Sequence, residues 1–112
     1  MAKPIDVGAE DFEAEVLEVE DRPVFVDFWS ESCGHCLTLN PQFEQAADEN
    51  GGVKFAKVSL QGGRDLFKAH GVRSTPTLVL FSGGEEIART VGAMRAADIG
   101  AWLEENLAAE DA

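Results

Sequence analysis

The chain has few cysteines and few basic residues, and it lacks long apolar runs. Two cysteines among 112 residues do not make a disulfide framework, for which so short a chain would carry four or more. No run approaches the roughly 18 apolar residues of a membrane helix, so we expect no membrane-spanning segment. The beginning, "MAKPIDVGAEDFEAE", has neither the basic head nor the apolar core of a secretory leader. We therefore expect a cytoplasmic protein, although a leader already removed would leave the same beginning.

Acidic residues strongly outnumber basic ones. Nine Lys and Arg stand against 21 Asp and Glu, a net charge of −12, which repels nucleic acid and anionic membranes as partners. Residues 1–50 carry two basic and 13 acidic residues, whereas residues 54–95 carry seven and three. The simplest interpretation is a solvated acidic surface on a protein that we expect to be a monomer. Selection of a partner by charge is the alternative.

The length suits one domain, and the hydrophobic periodicity predicts an α/β layout. "AEDFEAEVLEVED" predicts an amphipathic helix, "PVFVDFW" a buried strand, and the segment from Cys33 to Gly51 a helix bent at Pro41. "VKFAKVSL" predicts a strand, "GGRDLFKAHG" a loop and a short helix, and "TPTLVLF" with "IARTV" an antiparallel hairpin. "AADIGAWLEENL" predicts a last helix, followed by a polar tail that frays after Leu107. We expect a mixed central sheet.

The segment "SESCGHCL" contains both cysteines, Cys33 and Cys36, at a strand-to-helix turn. Residues i and i+3 are neighbours on a helix, so a disulfide between the two closes with little backbone movement. Unpaired N–H groups and the positive end of the helix dipole stabilise a thiolate on Cys33. Cys36, one turn further in, is expected to keep its proton longer. The spacing predicts Cys33 as the attacking nucleophile and Cys36 as the resolving thiol.

The two residues between the cysteines are expected to tune the pair. Gly34 permits close approach of a client. His35, partly protonated near neutral pH, would place a positive charge beside the Cys33 thiolate, favouring the reduced form and making the pair more oxidising. The alternative is that His35 is an exposed helix residue without electrostatic effect.

The other common use of C-x-x-C is half of a zinc site. A tetrahedral site needs four ligands, and His35 and His70 are the remaining nitrogen donors. His35 would have to turn back on its own loop, and His70, before Gly71 at a helix end, is expected to be a capping cation. We expect no metal and no other cofactor. A metal ion or cluster shared between two chains is an open alternative.

The runs "VDFWSESCGHC", "AKVSL", "GVRSTPTLVLF" and "VGA", with Pro41, resemble the thioredoxin family at the family's spacings, over about residues 5–107. The resemblance implies a single thioredoxin-like domain over residues 1–112, with helices on both faces of the mixed sheet. It implies a thiol-disulfide oxidoreductase that reduces or exchanges protein disulfides. Its partners would be disulfide-containing client proteins and a dithiol donor such as a thioredoxin reductase.

The resemblance also implies residue roles. Asp27 would be the buried proton acceptor that helps to deprotonate Cys36, and burial should raise its pKa; a satisfied structural polar group is the alternative. Lys57 would support Asp27, unless it is merely a solvated lysine. Pro76 would be the family's cis-proline opposite the dithiol. The backbone of Thr75 would pair there with an extended client segment.

Three further matches are implied to belong to the client-binding region. Trp29 fits the tryptophan packed under the active site, and Gly92 and Ala93 fit a loop lining the client groove. Ordinary packing and turn roles are the alternatives for all three.

The sequence departs from the usual thioredoxin pattern at three positions. His35 replaces a proline, and "CGHC" is typical of protein disulfide isomerase domains. Ser32 stands where the family has a second tryptophan, and Leu37 replaces a lysine. Glu31 would oppose His35 by favouring a protonated Cys33. An oxidant or isomerase is therefore an alternative function, as is a non-catalytic binding module.

Overall fold

The computed structural model describes residues 3–111. In chain order its elements are β1 (Ile5–Asp6), a π-helical turn (Glu13–Leu17), β2 (Val24–Trp29), α1 (Gly34–Glu49), β3 (Lys54–Ser59), α2 (Leu60–Ala69), β4 (Thr77–Ser82), β5 (Glu85–Val91) and α3 (Ala96–Asp111). Among these residues, no helix combines the length and the apolar character needed to span a bilayer.

The strands form one mixed sheet in the order β1-β3-β2-β4-β5. The pairs of β3 with β1 and β2 are parallel, and those of β4 with β2 and β5 are antiparallel. The predicted hairpin of β4 and β5 is confirmed. Its turn contains Gly83 and Gly84 at φ of 60° and 83°, where glycine avoids the strain of a side chain.

The side chains of β2 point alternately to the two faces of the sheet, and each face carries its own apolar core. Val24, Val26 and Phe28 pack on the side of the π-helical turn and α2, whereas Phe25 packs on the side of α1 and α3. Every residue of β2 before Trp29 is buried, which explains the nearly continuous apolar run. The prediction of helices on both faces of a mixed sheet is confirmed.

The first helix is shorter than predicted and of another type. It is a single π-helical turn, closed by the N–H of Glu18, which donates to the carbonyl of Glu13 at 2.8 Å. Phe12 and Val16 are buried under it, whereas Glu13 is exposed and the carboxylate of Glu15 pairs with the ammonium of Lys54 at 2.7 Å. Two buried side chains four residues apart need only one turn, so the segment gains little from a longer helix.

Helices α1 and α3 are the two long helices, each of 16 residues. Helix α1 runs unbroken through Pro41, as predicted. Helix α3 continues to Asp111, and the prediction of a frayed tail after Leu107 is wrong. Ile99 and Leu103 are buried against the sheet and hold α3 in place ahead of that polar end.

Candidate active site

The dithiol lies where β2 ends and α1 begins, as predicted. Cys33 is the N-cap of α1: its backbone is extended, at φ −100° and ψ 113°, and its sulfur accepts a hydrogen bond from the N–H of Cys36 at 3.2 Å. The N–H of Cys33 donates to the carbonyl of Ser30 at 3.2 Å, which fixes the turn. Both cysteines are free thiols. The sulfur of Cys33 therefore takes the place of the usual oxygen cap of a helix.

The two thiols have opposite environments. Cys33 is half-buried, and Cys36 is fully buried. The pKa of Cys33 is lowered: burial opposes its ionisation, but hydrogen bonds to the side chains of Cys36 and Thr75 and to the N–H groups of Cys36 and His35 outweigh this. Burial and the hydrogen bond to Cys33 raise the pKa of Cys36 to about 11. Cys33 therefore ionises first.

The loop before β4 and the end of β5 meet beside Cys33. The Cys33 thiol donates to the carbonyl of Thr75 at 3.4 Å. The peptide bond between Thr75 and Pro76 is cis, as the resemblance implies. The N–H of Gly92, at φ 106°, donates to the carbonyl of Pro76 at 2.9 Å, and Ala93 follows as an exposed residue. The structure thus brings together the predicted residues of the dithiol, the proline loop and the glycine loop.

Asp27 is a buried carboxyl to which no protein group in the described part of the chain donates a hydrogen bond. Its exposed fraction is 0%, and neither oxygen has a hydrogen-bond partner within residues 3–111. It lies between Lys57 of β3 and Leu78 of β4 in the sheet register. Burial raises the pKa of Asp27 to about 7, against a lowering by the charge of Lys57. No protein group in the described residues provides the hydrogen bond that the alternative, a satisfied structural polar group, would have.

Lys57 and Trp29 lie on the same face of the sheet as Asp27. The Lys57 ammonium lies 4.6 Å from the centroid of the Trp29 ring, a cation–π contact that keeps the lysine over the sheet. Trp29 and Glu31 line a cavity of about 380 Å³ together with Lys57. Cys33 is not among the residues lining that cavity. The implied place of Trp29 in the client-binding region stays a prediction.

A larger cavity of about 570 Å³ adjoins Cys33 on its other side. Ser30, Ser32 and Thr75 line it near the dithiol. Its far wall carries three basic side chains that the sequence analysis did not identify, Arg64, Lys68 and Arg73. The excess of basic over acidic residues within 54–95 was the signal that could have found them.

Gly34 and His35, the two residues between the cysteines, are exposed on the first turn of α1.

His70 is not the capping cation that the sequence predicted. Its ring packs against Phe12, Phe28 and Phe81, with centroids 5.1, 6.0 and 5.6 Å away. Burial lowers the pKa of His70 and so favours the neutral ring. The end of α2 is instead capped by Arg89, whose Nη2 donates to the carbonyl of His70 at 2.7 Å. Within residues 3–111, no three His, Cys, Asp or Glu side chains are placed to hold a metal ion.

Comparison with known proteins agrees with this geometry. The family model described as Thioredoxin matches residues 3–105. The chain belongs to the thioredoxin family. Thioredoxin C-3 of Corynebacterium nephridii is 38% identical over 105 residues, covering 94% of this chain and 72% of that protein. The thioredoxin of Pseudomonas aeruginosa is 36% identical over 92% of this chain and 95% of its own.

The thioredoxin fold is equally clear from a solved structure. The thioredoxin of Malassezia sympodialis superimposes with a TM-score of 0.82 at 27% identity, covering 95% of this chain and 92% of that one. Membership of the thioredoxin family is consistent with a thiol-disulfide oxidoreductase.

Proposed function

We propose that the protein reduces or exchanges disulfides of client proteins through a mixed disulfide on Cys33. The unequal environment of the two thiols carries this proposal. A lowered pKa at the accessible sulfur provides a nucleophile. A raised pKa at the buried sulfur keeps Cys36 protonated, so that it attacks only after Cys33 has formed the mixed disulfide.

The reaction moves two electrons from protein to client. The Cys33 thiolate attacks one sulfur of the client disulfide, the client S–S bond breaks, and the other client sulfur leaves and takes up a proton. Cys36 then loses its proton and attacks Sγ of Cys33, which releases the second client thiol. The protein is left with a Cys33–Cys36 disulfide. A dithiol donor such as a thioredoxin reductase would return the two electrons.

Asp27 is proposed as the acceptor of the Cys36 proton. A carboxyl with a pKa of about 7 can gain and lose a proton near neutral pH. Asp27 shares its sheet face with Phe25, which packs against α1, and Cys36 is the buried residue of the first turn of that helix. Lys57, in register with Asp27, would limit the rise of its pKa. Trp29 would hold Lys57 in that position.

The backbone around Thr75 is proposed as the client-binding edge. The Thr75 carbonyl lies 3.4 Å from the Cys33 sulfur, so a peptide pairing with this residue would bring its own sulfur close to the nucleophile. Pro76 and Gly92, joined by a hydrogen bond of 2.9 Å, and the adjacent Ala93 would form the other side of the groove. The exposed Gly34 leaves the approach to the dithiol open.

Two cysteine substitutions test the proposal with a disulfide-containing protein such as insulin as substrate. Cys33→Ser should abolish disulfide reduction, because the nucleophile is lost. Cys36→Ser should accumulate a mixed disulfide on Cys33, visible by mass spectrometry, because resolution is blocked. Substantial reduction by Cys33→Ser would contradict the mechanism. Equal capture of partners by wild type and by a double variant of both cysteines would instead support a non-catalytic binding module.

The second candidate is an oxidant or isomerase, and the exposed His35 inside the dithiol favours it. The reduction potential distinguishes the two: about −270 mV is typical of thioredoxins, and about −180 mV of disulfide isomerases. His35→Pro should lower the potential for two reasons, because it removes the imidazole and also the N–H that lowers the pKa of Cys33. His35→Ala keeps that N–H and measures the imidazole alone. An unchanged potential in both variants would exclude a tuning role for residue 35.

A further inference from the structure

The cavity of about 570 Å³ beside Cys33 has the lining and the position from which a group could reach the Cys33 sulfur. Its volume falls in the range of pockets that hold small ligands or a few side chains. Ser32 and Thr75 line it together with Cys33, so any group inside it lies next to the reacting sulfur. Ser32 leaves this space open because its side chain is short; the Ser32 hydroxyl lies 3.1 Å from that of Ser30.

The charge of this cavity is opposite to that of the whole protein. Arg64 and Lys68 of α2 and Arg73 of the following loop line it, and no acidic residue does. All three basic residues are exposed. Among the side chains that the structure describes, none of the three takes part in an ion pair. We call this site, lined by Arg64, Lys68 and Arg73 beside Cys33, the basic cavity.

We propose that the basic cavity selects client polypeptides that carry acidic residues next to their disulfide. This inference rests on the proposed function, since it concerns the substrates of the same dithiol. Three unpaired cations within one cavity attract a carboxylate at contact distance. The net charge of −12 acts mainly from a longer range, where salt screens it with a Debye length of about 8 Å. The local charge would therefore decide the preference during docking.

The basic cavity would favour acidic peptides, whereas the negative net charge of the protein would favour basic ones. Three synthetic peptides can distinguish these two effects. Each peptide carries one cysteine, activated as a mixed disulfide with the uncharged 2-thiopyridine, and flanked by Glu, by Gln or by Lys. The Cys33 thiolate attacks the peptide sulfur, the S–S bond breaks, and 2-thiopyridone is released. Cys36 then releases the peptide thiol and leaves the protein disulfide. The absorbance of 2-thiopyridone gives the second-order rate constant of the reduced protein with each peptide.

We expect the Glu peptide to react about tenfold faster than the Lys peptide at low ionic strength. The ratio should fall as salt is added. A double variant, Arg64→Gln with Lys68→Gln, should remove most of this preference. The matched control is Lys3→Gln with Arg22→Gln, which changes the net charge by the same amount. These two residues precede β1 and β2, at the end of the parallel strands away from Cys33, so the control should keep the preference.

Ser32→Trp provides a test by shape, because it fills the basic cavity and leaves its charges in place. It should also reduce the ratio of the Glu to the Lys rate constant. A faster reaction of the Lys peptide with wild type, or the same ratio in both double variants, would overturn the inference. Equal rates of Cys33→Ser and wild type with every peptide would overturn the proposed function itself, which is a different outcome.

Discussion

The burial of Asp27 allows a quantitative prediction about stability. Its pKa rises from the ordinary 3.8 to about 7 in the folded protein, because burial disfavours the charged carboxylate. A shift of this size corresponds to roughly 4 kcal/mol between the two protonation states. Between these two pKa values the unfolded chain binds fewer protons than the folded chain. The free energy of unfolding therefore falls as pH rises through this window, and the loss levels off above pH 7.

Substitution of Asp27 by Asn removes the charge and nearly keeps the shape. From about pH 5 to about pH 8, the Asp27 contribution to the wild-type free energy of unfolding should fall by roughly 3 kcal/mol. Asp27→Asn should lack this loss and be the more stable protein at the higher pH. The gain at that pH will be smaller than roughly 4 kcal/mol, since the amide also lacks hydrogen-bond partners in this position.

Urea denaturation of both reduced proteins, measured at several pH values in dithiothreitol, gives the difference directly. Taking this difference cancels the titration of groups that the two proteins share, such as His70. Asp48→Asn removes an exposed carboxylate of α1 and is the control for charge alone. Parallel curves of stability against pH for wild type and Asp27→Asn would refute the reasoning, because a buried carboxyl with a raised pKa cannot leave the pH dependence unchanged.

Two further substitutions test individual contacts. Lys57→Met should raise the pKa of Asp27 further, since the ammonium charge lowers it, and the midpoint of the pH-dependent stability loss should move up correspondingly. Gly84→Ala should destabilise the fold by about 3 kcal/mol in urea denaturation, since φ is 83° and a Cβ would lie 2.7 Å from the carbonyl oxygen of Leu17. Gly83→Ala, with positive φ but open space, should cost only about 1 kcal/mol, and equal losses would contradict the proposed overlap.

Local patterns predicted the elements that bury a large apolar surface. The run from Val24 to Phe28 predicted a central strand because every one of its residues is buried. Asp27 stood out within that run, and its burial follows from its position in it. Strand β1 was missed because two exposed residues show no alternation, and its pairing depends on the edge that β3 offers. Such a strand is a consequence of the tertiary fold.

His70 shows why side-chain charge is harder to predict than secondary structure. Its place at the end of α2 was correct, but its neighbours come from three distant segments that contribute Phe12, Phe28 and Phe81. Only the folded sheet brings these rings together. The basic cavity was missed for the same reason, since its wall from α2 faces the dithiol after β2 only once β3 has paired beside β2.

The difference between the two thiols depends on the backbone more than on the residues between them. The groups that lower the pKa of Cys33 are the thiol of Cys36, the side chain of Thr75 and two N–H groups of the first turn of α1. Any residue except proline at position 35 would provide its N–H. The helix start therefore accounts for the lowered pKa of Cys33, and a tuning effect of the His35 imidazole, as proposed above, would come in addition to it. The change from the family's proline to histidine is thus first a change of backbone donors, and the added N–H favours the reduced dithiol.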